Sequence, residues 1–208
     1  MRAVCSAPMD DRFAHDRYHI KQLIRPMVNL YEVRALSAGT DQPGELVALV
    51  RQKRMALRED LRAFADQSES QEVFRIKARG VMDVAGRYDV AAPDGQRIGT
   101  LAKVFGASLL RSTWRVLGPD ESELFTAQER STAVAIGRRI AQLLPYGEVL
   151  PIPYHFIFNH DGTELGGLRR IYGLRDQYEL SLTGDTDRTV DRRLAIALAI
   201  ALDALQAR

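Results

Sequence analysis

Three carboxylates precede the most apolar stretch of the chain and could, by residue type, ligate a cation. They are Asp185, Asp187 and Asp191. Calcium takes roughly six to eight oxygen ligands, but this stretch lacks the glycine and the terminal glutamate of an EF-hand loop. The spacing is more typical of a turn in which carboxylates accept hydrogen bonds from the backbone N–H groups that begin a helix. We therefore expect no cofactor, and calcium binding no tighter than about millimolar.

Clusters of basic residues are the second feature that could carry a function. Their members are Arg51, Lys53, Arg54, Arg169, Arg170, Arg192 and Arg193. If the outward-facing members converge, they form an anion-binding patch that attracts lipid headgroups at about 1 kcal/mol per residue. The alternative is a solvated exterior balanced by the 27 acidic residues. Arg192 and Arg193 oppose the dipole of a helix that begins beside them, so we expect a local negative group to offset them, and the three aspartates are the candidates.

Residue types that act in catalysis are present, but they do not form a recognisable catalytic motif. His155 and His160 are separated by an odd number of positions in a predicted strand, so their side chains point to opposite faces and do not form a metal site. We find no serine in a nucleophile elbow and no glycine-rich phosphate loop. Cys5 is the single cysteine, which excludes an internal disulfide. We expect a protein without catalytic activity.

A repeat organises the elements that carry these residues. Residues 88–117 recur in looser form at 155–182. The corresponding positions are Asp94 and Gly95 with Asp161 and Gly162, and Ile98 and Gly99 with Leu165 and Gly166. Glycine and aspartate tolerate positive φ, which closes a hairpin in few residues. Each copy is therefore predicted to be a strand, a tight turn, a strand, a second turn and a third strand.

Short segments of strand character continue along most of the chain. Predicted strands lie at 18–24, 30–36, 45–51, 53–58, 60–65, 72–78, 87–92, 97–104, 111–117, 121–126, 153–159, 164–171 and 176–182. About a dozen closely spaced strands are too many for one flat sheet, so a barrel or a sandwich is predicted.

Two predicted helices interrupt the strands. One covers about 127–144, ends at Pro145, and is expected outside the barrel or across an open end. The other covers about 189–206, with Thr189 or Asp187 as its cap, and contains a run at 194–202 in which large residues alternate with alanine. That alternation also fits a strand, but alanine is the best helix former and a poor strand former. Because a helix that is apolar on every side must be enclosed, the predicted fold is mainly β: a closed antiparallel barrel of about twelve strands around this helix.

Composition restricts the class of protein. The net charge of +2 is too small to indicate nucleic-acid binding. Residues 1–16 are polar and lack periodicity, so we expect a flexible tail followed by a single domain at 17–208. The first residues lack the continuous apolar core of a signal peptide, and the run 194–202 spans only about 14 Å, well short of a bilayer. We expect a cytoplasmic protein without a transmembrane helix.

The repeat and the terminal helix resemble the tubby-like superfamily, which includes phospholipid scramblases and LURP-one-related proteins. Residues 86–130 resemble the central strands of that group, and residues 164–205, with Asp191, Arg192 and Arg193 at the start of the helix, resemble its last strands and helix. The resemblance implies a barrel of about twelve strands threaded by the C-terminal helix. It also implies phosphoinositide binding or calcium-dependent lipid movement, but no residue here matches a known phosphoinositide ligand.

Two functions follow as expectations. The first is a non-enzymatic lipid- or ligand-binding module that docks peripherally and reversibly on anionic phospholipid membranes through the basic clusters. The second is a protein-interaction scaffold without a lipid role, with the helix at 127–144 or a barrel edge as its docking surface. Dependence on anionic lipid favours the first, and a protein partner whose binding depends on 127–144 favours the second.

Overall fold

The structure is a mainly β protein with one C-terminal helix. The computed structural model describes residues 10–25, 28–37, 39–53, 60–80, 86–104, 112–130, 155–171 and 176–206. Within these ranges, twelve strands form a closed barrel in which neighbouring strands run antiparallel.

The element bounds are as follows. A single 3₁₀ turn at Asp11–Phe13 precedes β1 (Arg17–Arg25), β2 (Val28–Leu36), β3 (Pro43–Lys53), β4 (Asp60–Phe64), β5 (Glu72–Ala78), β6 (Arg87–Ala91), β7 (Arg97–Val104), β8 (Thr113–Leu117), β9 (Glu123–Glu129), β10 (His155–His160), β11 (Thr163–Ile171), β12 (Gln177–Ser181) and the helix α1 (Arg192–Gln206).

The strands pair in chain order, and the pairing of β1 with β12 closes the barrel. Twelve of the predicted strands are confirmed, with small shifts at their ends. The predicted strand at 53–58 is not a separate described element, because residue 53 ends β3 and residues 54–58 lie outside the described residues. The predicted helix at 127–144 starts too early, since residues 127–129 pair with both β8 and β10 as part of β9. Residues 131–144 lie outside the described residues.

The turn predicted between β10 and β11 is confirmed. His160 pairs with Thr163, and the two residues between them, Asp161 and Gly162, have φ of 46° and 81°. Positive φ at both central positions defines a type I′ turn, whose twist matches that of the flanking strands. The first repeat copy also places a glycine of positive φ in its turn, Gly95 at 89°.

Both repeat copies are three-stranded meanders, formed by β6–β8 and β10–β12. Their equivalent glycines, Gly99 and Gly166, leave no room for a Cβ atom. At Gly99 a Cβ would lie 2.3 Å from the carbonyl oxygen of Leu117, and at Gly166 it would lie 2.0 Å from that of Ser181. In each copy the middle strand is thus pressed against the backbone of the third strand, which explains why the glycine recurs.

We predict that Gly99→Ala lowers the free energy of unfolding by about 1–3 kcal/mol, because overpacking forces the backbone to shift. The new methyl group would meet Leu194 at 2.9 Å as well as the Leu117 carbonyl oxygen. Urea denaturation measures the change. Gly44→Ala is the control, because its Cβ would meet only the Ala35 carbonyl oxygen, at 3.3 Å. Equal stability of the two variants would contradict the packing argument.

The hydrophobic core is one cluster that combines inward-facing residues of all twelve strands with α1. Every side chain at 194–202 is at most 2% exposed, and Leu198 and Ile200 are fully buried. The hydroxyls of Tyr31 on β2 and Tyr178 on β12 donate to Asp203 near the C-terminal end of α1. Burial raises the pKa of Asp203 despite these two hydrogen bonds.

The end of the predicted N-terminal tail is packed on the barrel. Phe13 is 1% exposed and contacts the ring of Phe74, with ring centroids 6.3 Å apart. The hydroxyl of Tyr18 donates to the carbonyl oxygens of Phe13 and His15, at 3.0 and 2.8 Å. Residues of the segment 10–16 therefore contact the barrel. The flexible tail at 1–16 followed by a single domain at 17–208 stays a prediction, and residues 1–9 lie outside the described residues.

Candidate functional site

Two of the three aspartates before α1 cap backbone N–H groups. The carboxylate of Asp185 accepts from the backbone N–H groups of Thr189 and Val190, at 2.9 and 3.1 Å. Asp191 accepts from the backbone N–H of Arg193 at 2.9 Å and occupies the cap position predicted for Thr189 or Asp187. Asp187 is exposed. The capping interpretation is therefore confirmed for Asp185 and Asp191.

The same aspartates offset the two arginines that begin α1, as expected. Arg192 donates to Asp185, and Arg193 donates to Asp191 at 2.6 Å. Asp16 also accepts from Arg192, at 2.7 Å. Burial alone would raise the pKa of Asp185, but the hydrogen bonds from Arg192 and from backbone N–H groups outweigh burial and hold that pKa below its usual range.

We predict that calcium binds this segment no more tightly than about millimolar. The oxygens of Asp185 and Asp191 already accept from arginine and backbone groups, so a cation would have to displace them. Calorimetry of the full chain measures the affinity, with Asp187→Ala as the variant. Micromolar binding that Asp187→Ala abolishes would contradict this expectation.

The described members of the basic clusters lie on β3, β11 and α1. Arg51 lies on β3 beside Arg62 of β4 and donates to Glu69 at 2.7 Å. Arg192 is 1% exposed, so it does not contribute to an exposed patch. The remaining members occupy other positions: Lys53 ends β3, Arg54 lies outside the described residues, Arg169 and Arg170 are on β11, and Arg193 is on α1.

Arg169 and Arg170 line an open groove on the outside of the barrel, with a volume of about 610 Å³, which we call the outer groove. Four strands, β10, β11, β12 and β1, form its floor, and the connection between β2 and β3 forms one side. Its lining residues are His19, Leu36, Asp41, Pro43, His155, Arg169, Arg170, Ile171, Gln177 and Glu179.

Strand register places four of these side chains in one row. His155 pairs with Arg169, Arg169 with Glu179, and Glu179 with His19. Directly paired residues of antiparallel strands share a face, and strands lie about 5 Å apart, so the row spans roughly 15 Å. Their strand neighbours, such as Leu168 and Leu180, are buried in the core. Because side chains alternate between faces along a strand, the row faces outward.

Arg17 links the connection between β2 and β3 to this row of side chains by hydrogen bonds. It donates to Glu179 at 2.8 Å, to Asp41 at 2.7 Å and to the carbonyl oxygen of Thr40 at 3.4 Å. The other carboxylate oxygen of Glu179 accepts from Arg169 at 2.5 Å. Burial would raise the pKa of Glu179, but the hydrogen bonds from Arg169 and Arg17 outweigh burial and lower that pKa. Glu179 is thus an ionised carboxylate with both oxygens engaged.

The two histidines of the row differ in their partners. His19, 7% exposed, contacts the side-chain oxygen of Gln177 through Nε2 at 2.8 Å. Because that oxygen can only accept, Nε2 of His19 donates to it. The side chain of His155 makes no hydrogen bond within the described part of the chain. Desolvation and the nearby charges of Arg130 and Arg169 lower its pKa, so His155 is neutral at pH 7.

Arg169 and Arg170 are recognisable in the sequence as candidate binding residues, whereas the site around them is not. His19 and Gln177 are separated by 158 positions, and only the pairing of the first strand with the last brings them together. His155 was considered only with His160, which lies at the other end of β10. The polar alternation of β1 and β12 indicates their outward faces but not that these faces are adjacent.

Comparison with known families identifies the family of the chain. The family model of LURP-one-related proteins matches residues 46–203. The chain belongs to the LURP-one-related family, which is part of the tubby-like superfamily. No curated protein matches the chain. The match starts after β1, so His19, which lines the outer groove, and Arg17, which contacts Glu179, lie outside the matched region.

No helix among the described residues is long and apolar enough to cross a membrane.

Proposed function

We propose that this protein is a non-enzymatic binding module that holds a small molecule in the outer groove. The observation that carries the proposal is the groove itself, whose volume of about 610 Å³ lies within the range typical of small-molecule sites. Three of its ten lining residues, Leu36, Pro43 and Ile171, are apolar, and the other seven are polar or charged groups that can fix the orientation of a ligand. Its floor is part of a closed barrel, so the groove is held by paired strands rather than by loops alone.

We further propose that α1 lies inside the barrel and holds the strands of the groove in place. The burial of every residue at 194–202 supports this position. So do the contacts of the helix with different parts of the barrel, because Leu194 lies close to Gly99 of β7 whereas Asp203 accepts from Tyr31 of β2 and Tyr178 of β12. A helix fixed on several sides keeps the strands at constant distance from one another.

Docking on anionic membranes and scramblase-like lipid movement have less support in the contacts. Membrane attraction by basic residues depends on several exposed charges close together at the lipid surface. The basic clusters lie on separate elements, and Arg51, Arg170, Arg192 and Arg193 each form an ion pair with an acidic residue. We therefore propose a soluble ligand. A protein-scaffold role through residues 131–144 stays a prediction, because that segment lies outside the described residues.

A fragment screen tests the binding function. We expect small molecules to shift the backbone amide NMR signals of His19, Arg169 and Gln177. We also expect Arg169→Ala to weaken these shifts. Arg115→Ala is the matched control, since Arg115 also lies on the outer face, 51% exposed and paired with Glu123, but outside the groove.

Liposome co-sedimentation is the second arm of this test. We expect equal, negligible sedimentation of the protein with neutral and with anionic vesicles, even at low salt, where charge attraction is strongest. Sedimentation with anionic vesicles alone, together with a screen in which no fragment shifts the groove signals, would replace the proposed function by membrane docking.

A further inference from the structure

We propose that the ligand of the outer groove is a small organic carboxylate with an apolar body. Arg169 receives the carboxylate, and Leu36, Pro43 and Ile171 contact the body. The inference rests on the proposed function and names the chemical class that the groove selects.

The hydrogen-bonding groups of the groove that are not already in use indicate whether the ligand is negatively or positively charged. Both oxygens of Glu179 accept from arginines, and Arg17 uses Nε and both terminal nitrogens. Glu179 therefore has little capacity left for a cationic ligand. Asp41, the other carboxylate of the lining, is paired with the same Arg17. Arg169 is the opposite case: its side chain is 64% exposed, and within the described residues only Nη2 makes a hydrogen bond. Nε and Nη1 of Arg169 are left to donate to an anion.

Two neutral donors lie on either side of Arg169. The side-chain oxygen of Gln177 is occupied by His19, which leaves the amide NH₂ of Gln177 as a donor. On the other side, His155 pairs with Arg169 across the strands, and as a neutral imidazole it offers one N–H. Arg170, the other arginine of the lining, is paired with Asp176. The guanidinium of Arg169 with neutral donors beside it therefore matches the single charge of a carboxylate.

The apolar residues of the lining indicate the chemical character of the rest of the ligand. Leu36, Pro43 and Ile171 give the groove a surface that an inorganic anion does not use. A phosphate ion would also occupy a small part of about 610 Å³. Burial of an apolar body on this surface contributes favourably to binding, whereas an inorganic anion gains only the polar contacts. The groove therefore favours an aliphatic or aromatic acid over free phosphate.

Titration experiments with benzoate, its neutral analogue benzamide, and inorganic phosphate test the ligand class. We expect benzoate to shift the groove signals and to bind at least about tenfold more tightly than benzamide, since the charge-assisted contact to Arg169 is absent in the amide. Arg169→Gln should remove this preference, and Arg115→Ala should retain it. Phosphate should neither shift the groove signals nor compete with benzoate.

The pH dependence provides an independent readout. Among the described residues, the charged groups that act on His155 are Arg130 of the segment after β9 and Arg169 and Glu164 of β11. A bound carboxylate adds a negative charge beside His155 and raises its pKa, so proton uptake accompanies binding. Benzoate affinity should therefore increase as the pH falls from about 7.5 to about 5.5, where benzoate stays ionised. His155→Asn should reduce this dependence.

The possible outcomes distinguish failure of the proposed ligand class from failure of the proposed binding function. If benzamide and benzoate bind equally and Arg169→Gln changes neither, the groove binds small molecules but the carboxylate inference is wrong. If phosphate displaces benzoate, the site takes inorganic anions and the apolar body is not part of recognition. If neither these probes nor the fragments shift groove signals, the proposed function itself fails.

Discussion

A Leu198→Asp protein is expected to remain unfolded. Leu198 is fully buried in the middle of α1, and its neighbours in the core cluster are apolar residues of the strands. The substitution removes a packed side chain, at a cost of about 2–5 kcal/mol, and buries a carboxylate without a partner, at a cost of several kcal/mol more. Together these costs are comparable to the total stability of a typical domain, about 5–15 kcal/mol.

Circular dichroism and thermal denaturation measure this result. Val104→Asp is the matched control, because Val104 is the exposed large hydrophobic residue of the described chain, at 43%. That variant should fold and unfold cooperatively. Leu198→Ala gives an intermediate case that should fold with lower stability. A soluble Leu198→Asp protein with a cooperative transition would show that the helix is not central and would contradict its proposed position inside the barrel.

The fold was predictable because local signals agree with one another. Asp161 and Gly162 encode a type I′ turn by residue type alone, and the structure has positive φ at both positions. The alanines at 194–202 favour a helix over the strand that alternation alone suggests, and α1 covers the whole run. The burial of the same run then follows from its lack of a polar face.

Boundaries were less predictable where competing signals overlap. Residues 127–129 continue a strand in which Ala127 is buried between Trp114 and Phe158, although alanine and glutamate also suit a helix. Tertiary pairing overrides propensity there. At α1 the predicted start at 189 is three residues early because the carboxylate of Asp191, rather than Thr189 or Asp187, caps the helix.

The outer groove could not be predicted from local patterns. Arg169 is recognisable as an exposed arginine of a polar strand face, but its neighbours Glu179 and His19 depend on strand register and on barrel closure. The basic clusters illustrate the same limit. Arg192 and Arg193 are adjacent and identical in type, yet the first is 1% exposed whereas the side chain of the second is 26% exposed.

We expect Arg192→Ala to lower the free energy of unfolding by about 3–5 kcal/mol at neutral pH, the range for removal of one partner of a buried ion pair. Arg192 donates to Asp185, which is itself buried, to Asp16, and to the carbonyl oxygens of Val190 and His15. These contacts join the segment before β1 to the start of α1. Their loss leaves Asp185 as a buried carboxylate without its cation.

Arg193→Ala is the matched control, with the same substitution one residue later. Its partner Asp191 is partly exposed, so the pair is screened by solvent and its loss should cost about 1 kcal/mol or less. Equal losses for the two variants, measured by urea denaturation, would show that burial does not determine the strength of these pairs. In an Arg192→Ala, Asp185→Ala double variant the loss should be smaller than the sum of the single losses.

The pH dependence of the free energy of unfolding shows whether the charge of Asp185 stabilises the folded protein. In the native protein the pKa of Asp185 is lowered, so its stabilising effect is present above the ordinary aspartate pKa and is lost as the pH falls through the lowered value. In Arg192→Ala, burial remains without the cation and raises that pKa, so the destabilisation is largest at neutral pH and is relieved as Asp185 takes up a proton. The difference in unfolding free energy between the two proteins should therefore narrow below about pH 4. A difference that stays constant between neutral and acidic pH would show that Arg192 stabilises the barrel by packing rather than by its charge.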